Sequence, residues 1–407
     1  MHIRPILSTL ARHKTAAALI LVEIALSCAI LCNALFIIGN RISLLNLPSG
    51  IAEDVLFDVR VSGIGNVEQA NARTQEDLAA LRRLPGVASV AVVNQVPFQS
   101  GSWNTGLSTE PDGRGTEVNA AQYNFSPGTL QTFGLNLVAG RDFLPEEYLT
   151  SEALQEMEDL SGLKIPVILS QPLAEHLFPG EQAVGRPLYI GPYQITVVGV
   201  VENLMRAAQV NGNRDYSAIY PTSMNYTDGG FYLVRVAEPG LRDELMGAAV
   251  EALSRNDPNR LIREPRSYAS VRAKHFSADR DMVWLLVIVC ALLLAVTALG
   301  IIGLASFWVG QRTKQIGIRR ALGATRRQIM EYFLTENVLL VTGGIVVGML
   351  LTYGLNQWLM SQYSLPRLPL YFLPAGALVL WALGLVSVYG PARRASLIPP
   401  AVATRSV

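Results

Sequence analysis

Four stretches of this sequence, residues 15–38, 282–308, 337–358 and 370–389, read as membrane-spanning helices, and no other feature narrows the fold so far. A helix needs about 20 apolar residues to cross a bilayer core. Lipid offers the backbone no hydrogen-bond partner, so such runs must satisfy themselves as helices. The expected fold class is therefore an integral membrane α-helical protein in a one-plus-three arrangement. One span is followed by a large α+β extracytoplasmic domain over 41–281, and then by three more spans. The first run is too long for a signal-peptide core and no A-x-A site closes it. Ala25, Leu26 and Ser27 before Cys28 lack the aliphatic lead of a lipoprotein signal.

Basic residues set the direction of insertion. Arg4, Arg12 and Lys14 precede the first span. Arg312, Lys314, Arg319, Arg320, Arg326 and Arg327 lie in the 309–336 connection, and Arg393, Arg394 and Arg405 follow the last span. The short connection 361–369 carries only Arg367. Both tails, 1–14 and 390–407, and the 309–336 loop are thus expected in the cytoplasm of a cell with an inner membrane. The 41–281 segment is expected outside it.

Segregated charge of this kind, at a net +1 over 407 residues, gives no basic surface for nucleic acid. Cys28, Cys32 and Cys290 all sit in apolar runs, so the exported segment is expected to fold without disulfides. His2, His13, His176 and His275 are too scattered for a metal site, and no intramembrane catalytic pair is present. An enzyme is not expected. Gly344 and Gly348 form a small-x-x-x-small pattern, which permits close helix approach and is read as packing within the chain rather than between subunits. Glu23 lies two turns into the first span, where a carboxylate is costly and faces protein or water. With Ser27 and Ala34 it forms a stripe read as a subunit seam, a proton relay being the lesser reading for want of a second acid or histidine in the spans.

In the exported segment, residues 54–61 and 87–96 read as strands around a helix over 68–84, which Pro85 and Gly86 stop. Residues 229–236 alternate as a strand and 241–253 carry a helical pattern. The two ends of the segment therefore pair as one lobe, with roughly 105–215 inserted as a second. The acidic run Glu146, Glu147, Glu152, Glu156, Glu158 and Asp159 reads as a solvated helix face. In the 309–336 loop, a helical pattern over 311–322 stops at Gly323. Thr325 with Gln328 then makes a capping-box start for a second, amphipathic helix at the membrane surface. That helix would carry Ile329, Met330, Phe333 and Leu334 on one side.

Three blocks resemble the MacB-like and FtsX-like permeases of type VII ABC transporters. The stretches 140–143, 177–180 and 195–200 look like the family's periplasmic core domain, 315–324 is similar to the stretch after its second span, and 390–400 is like its C-terminal signature. The resemblance implies an ATP-driven machine working by mechanotransmission. Its ATPase would dock near Arg319, Arg320, Arg326, Arg327, Ile329, Met330 and Phe333. No G-x-x-x-x-G-K-[ST] occurs, so ATP and Mg are expected on a partner ATPase and no cofactor on this chain. A second permease copy or homologue, membrane lipid, and a periplasmic adaptor with an outer-membrane channel are the further partners the resemblance implies, with export of a drug, peptide or lipid-linked substrate as the activity. The alternative is a non-transporting regulator that activates a periplasmic or cell-wall partner.

Overall fold

The computed structural model describes residues 14–63, 69–99, 101–111, 115–157, 164–208, 213–363 and 369–399. Arg4, Arg12, Arg367, Arg405, Glu158, Asp159, His2 and His13 lie outside them. The chain divides into two compact units, one made of residues 1–46 with 278–407 and the other of residues 47–277.

In the first unit the helices, numbered here within that unit alone, are α1 (Lys14–Leu45), α2 (Ser277–Gln311), α3 (Thr313–Ala321), α4 (Arg326–Tyr363) and α5 (Phe372–Ser396). Four of them, all but α3, are long and apolar enough to cross a membrane. Their shared core joins Ile24, Cys28, Leu31 and Cys32 of α1 to Val341 and Ile345 of α4 and to Ala377 and Leu380 of α5. Lipid gives helices no hydrophobic reason to associate, so close packing of small residues must do it.

Among the described residues the second unit, the inserted domain, holds a four-stranded sheet, a seven-stranded sheet and two two-stranded ribbons. The four-stranded sheet has the order Arg266–Ser267, Leu56–Val59, Phe231–Val236, Val87–Val93, with every pairing antiparallel. Both ends of the segment thus meet in one lobe. Leu78 and Leu81 from the helix Ala70–Arg82, and Leu245, Ala249 and Leu253 from the helix Arg242–Asn256, cover its inner face. The spacing of four in the second set puts three side chains on one helical stripe. Beneath them the Tyr232 hydroxyl donates to Asp77 at 2.5 Å, and Arg260 donates to both Asp77 carboxylate oxygens at 2.5 and 2.9 Å. Both charges are almost fully buried, a pairing that sequence periodicity does not announce.

The seven-stranded sheet runs from Asn104 to Tyr220 in sequence, with the order Leu137–Gly140, Tyr193–Val201, Ile165–Ser170, Ser217–Tyr220, Glu117–Asn124, Asn104–Ser108, Pro187–Ile190. The last strand also pairs with Tyr193–Val201 over four residues, while Ser108 pairs with Tyr189, so the sheet closes on itself. Closure leaves fewer unpaired edges than an open sheet would expose, the short strand Leu137–Gly140 pairing on one side alone. Gly140 has φ +75° where a Cβ would lie 2.2 Å from the Val198 carbonyl oxygen, so this crossing of two strands requires glycine.

In the acidic run Glu146, Glu152 and Glu156 are exposed, as a solvated face requires, and Glu147 is half-buried. Glu147 accepts two hydrogen bonds from Arg141, and Glu152 accepts from Asn71 and Asn225. Glu152 and Glu156, four residues apart, share the exposed face of the helix Ser151–Glu156, while Glu146 and Glu147 belong to the turn Pro145–Glu147 before it.

Candidate functional site

The membrane unit presents two features with functional chemistry, a tight seam along α1 and a basic elbow formed by α3 and the start of α4. At the seam, a Cβ on Gly344 would lie 2.7 Å from Ile24 Cβ, and one on Gly348 would lie 2.5 Å from Cys28 Cβ and 2.7 Å from the Ala25 carbonyl oxygen. Backbones approach here because neither glycine carries a side chain. Gly376 of α5 repeats the device against Cys32 Sγ, and Gly384 repeats it against Val341.

The stripe of Glu23, Ser27 and Ala34 does not face outward together. Ser27 is 2% exposed and shares a 2.8 Å hydrogen bond with Thr297 of α2, and Ala34 is buried in the core with Val341 and Ala377. Neither can present a surface to a second subunit, because a neighbouring helix of the same chain already covers it. Glu23 is half-buried, and its carboxylate occupies the space where Gly300 of α2 lacks a Cβ. The seam reading is corrected accordingly for Ser27 and Ala34. The face of α2 bearing Trp284, Leu285, Ile288, Leu292, Val296 and Leu299, each more than half exposed, stays open, as do Leu19 and Val22 of α1, Leu350 of α4 and Val386 of α5.

At the elbow, α3 ends on three successive backbone bonds, from Leu322 to Ile318, Gly323 to Arg320 and Ala324 to Arg319, with Gly323 at φ +95°. Thr325 and Gln328 then cap α4 reciprocally, at 2.9 and 3.2 Å. The helix that follows is not a separate surface element. It continues unbroken as α4 to Tyr363, because Ile329 and Phe333 pack with Ile316 of α3 on Ala392 and Ala395 of α5. Ile329 and Phe333 are 4% and 6% exposed, and Met330 leans on the same cluster. They hold the elbow in place and are not free to touch a partner, which corrects the docking role expected for them.

The exposed residues are different ones. Arg319, Arg326 and Arg327 reach solvent, Arg327 with Glu331 beside it at 2.7 Å, whereas Arg320 is half-buried. Ile318 is 45% and Leu322 83% exposed. At 100° per residue Ile318 and Leu322 fall on the side of α3 opposite Ile316, so one apolar edge is buried and the other is bare. That two-sided pattern was the signal in the sequence: Ile316 and Ile318 cannot both face the core.

One buried pair was not foreseen. Arg312 donates to both oxygens of Glu336 at 3.1 and 2.9 Å, with side-chain exposures of 10% and 2%, and its guanidinium stacks 5.6 Å from the Trp308 ring. It ties the end of α2 to α4 just beside the elbow. Because α4 starts at Arg326, an acid that looked like part of a loop lies well inside a helix.

Among the described residues no group of three His, Cys, Asp or Glu could hold a metal.

Two family models match the chain: the MacB-like periplasmic core domain over residues 24–254 and the FtsX-like permease C-terminal domain over 287–400. The chain belongs to the MacB-like and FtsX-like permease family. It is 22% identical to an uncharacterized ABC transporter permease of Bacillus subtilis strain 168, YknZ, with 90% of this permease and 85% of that protein covered. It is 24% identical to the macrolide export ATP-binding/permease protein MacB of Chromobacterium violaceum, over 96% of this chain but only 61% of that one. This permease therefore spans about three-fifths of that MacB relative. The crystal structure of the extracellular domain of the noncanonic ABC-type transporter YknZ from Gram-positive bacteria matches 51% of this chain and 99% of that domain, at 14% identity and a TM-score of 0.33.

Proposed function

We propose that this permease is the membrane subunit of an ATP-driven transporter whose ATPase partner docks on the elbow at Ile318 and Leu322, between Arg319, Arg326 and Arg327. The carrying observation is the bare apolar edge of α3 ringed by exposed arginines, on a segment whose other edge is anchored to α4 and α5. An anchored helix with an exposed apolar knob has the anatomy of an interface centre with a charged rim. A force applied at α3 reaches α2 through Arg312 and Glu336, and α1 through the glycine seam. The two helices that run into the inserted domain would carry that motion outward as a rigid-body or hinge movement. The basic residues at this end support a reading in which it faces the cytoplasm from the inner membrane, with the inserted domain outside. The open face of α2 is where lipid or a second permease copy would lie. The name of the MacB relative, a macrolide export protein, favours export of a drug-like substrate, with hydrolysis of ATP left to the partner.

Leu322→Glu tests the docking surface. It puts a charge at the knob without touching the Ile316, Ile329 and Phe333 cluster, so the fold is retained. The expected result is loss of the co-purified ATPase by about 30-fold or more in affinity, the scale of an interface hot spot. Normal retention of the ATPase would overturn the reading. Vesicle uptake assays with the intact pair then separate export from regulation of an outside partner.

A further inference from the structure

The closed sheet of the inserted domain has an open end, and that end is built as a pocket. Leu107, Ala120, Val167, Leu188 and Ala218 belong to the core of this lobe. Thr105, Gln122, Ile165, Ile190 and Tyr220 lie two residues along from them on the same five strands, so they share the inward face. Strand directions bring all five to the same end, because Asn104 pairs with Ala121, Tyr220 with Asn124, and Tyr193 with Ile190. There they line a cavity of about 400 Å³. Leu149 and Leu154, outside the closed sheet, add apolar wall to the same cavity.

We propose that this cavity is a binding site for a small, uncharged, largely apolar molecule carrying one hydrogen-bond acceptor. Volume and lining fit such a ligand, since small-molecule sites are apolar cavities of roughly 300–1,000 Å³ with a few placed polar groups, and barrel mouths are a usual place for them. The polar group is Tyr220. Its side chain is 5% exposed, and its hydroxyl is buried with no hydrogen-bond partner among the described residues. Thr105 stands beside it. A buried hydroxyl left unpaired carries a free-energy cost, which an acceptor on the ligand removes. The rim selects against net charge, because Lys164 is offset by Glu146, and Glu147 is already held by Arg141.

The site stands apart from the ATPase docking reading, and its test uses neither ATP nor a partner. The full chain in lipid nanodiscs is irradiated with benzophenone, whose carbonyl is the acceptor and whose excited state inserts into nearby C–H bonds, and labelled peptides are mapped by mass spectrometry. Labelling of the membrane helices through lipid provides an internal reference. In the inserted domain, saturable labelling should concentrate on peptides containing Leu149, Leu154 or Ile165. Tyr220→Phe, which keeps the ring, should weaken saturation about fivefold, the worth of one hydrogen bond. Leu154→Trp, which fills the cavity, should abolish labelling while leaving the reference unchanged. Labelling of the domain that does not saturate, or that either variant leaves as in the wild type, overturns the proposal.

Discussion

Replacing Gly348 by alanine tests whether the α1 seam rests on backbone contact. The new Cβ would sit 2.5 Å from Cys28 Cβ, 2.7 Å from the Ala25 carbonyl oxygen and 3.1 Å from Ala25 Cα. None of these is the far end of a flexible side chain, so α1 and α4 must move apart along their length. Overpacking of this kind costs about 1–3 kcal/mol, while alanine returns up to about 1 kcal/mol of helix propensity. Gly354, two turns along the same helix, has nothing within 4 Å of its added Cβ. Gly354→Ala should therefore collect the propensity gain alone. The two single variants are expected to differ by about 1–3 kcal/mol in opposite directions from wild type. Equilibrium unfolding of the purified chain by sodium dodecyl sulfate in mixed micelles, followed by circular dichroism, measures the difference. If Gly348→Ala proves as stable as Gly354→Ala, the close approach at this seam is wrong.

In the same assay, Glu336→Ala should destabilise the chain by about 3–5 kcal/mol because it leaves Arg312 buried and unpaired. The double variant Arg312→Met with Glu336→Leu should recover most of that loss, and a double variant no better than the single would show that the pair does not act as a unit. In the inserted domain, Arg141 holds the Glu147 carboxyl below its ordinary value near 4.5. The folded pKa is the lower one, so the stabilisation is complete above that value and fades as pH falls through the folded pKa. Arg141→Gln should thus lower the melting temperature at neutral pH and converge with wild type once the pH falls below the folded pKa of Glu147. The effect should stay under about 1 kcal/mol because Arg141 is 44% exposed. A difference that persisted in acid would assign the loss to packing instead.

The apolar runs and the turn residues were legible in the sequence, because each acts locally. Gly323 and the Thr325 and Gln328 pair end and start helices as their chemistry requires, and the strand read from alternation over 229–236 and the helix read over 241–253 appear as Phe231–Val236 and Arg242–Asn256. The glycine face of α4 was read as packing within the chain and does meet α1, but the covered side was misjudged for Ser27 and Ala34 on α1 and for Phe333 at the start of α4. Ser27 and Ala34 are buried by α2, α4 and α5, and Phe333 by α5, and those neighbours lie hundreds or tens of residues away in the chain. Hydropathy cannot rank faces when lipid and protein are equally apolar. Arg312 with Glu336, Asp77 with Arg260, and the closure of the outer sheet through Ser108 and Tyr189 are likewise long-range pairings with no local sequence pattern.

The inserted domain has two covalent connections to the membrane helices, and its own contacts join them. Arg272, in the short helix Tyr268–His275 before the second connection, donates to Glu53 Oε1 at 2.5 Å and to the Leu47 carbonyl oxygen at 2.7 Å, both just after the first connection. The guanidinium also lies 4.9 Å from the Phe98 ring and 5.6 Å from Phe276. Phe98 holds φ at +65°, a left-handed conformation that costs a bulky residue of order 1–3 kcal/mol, and it is buried against Phe276 at 5.0 Å. Strain is retained only where surrounding contacts outweigh it, and here those contacts form the joint between entry and exit. Two independent pulls on the domain would part Arg272 from Glu53 or from Leu47, and would expose the aromatic cluster beneath. Under the proposed mechanism the cheaper motion is one in which both connections move together and the four-stranded lobe turns as a body, leaving its Asp77 and Arg260 pair undisturbed.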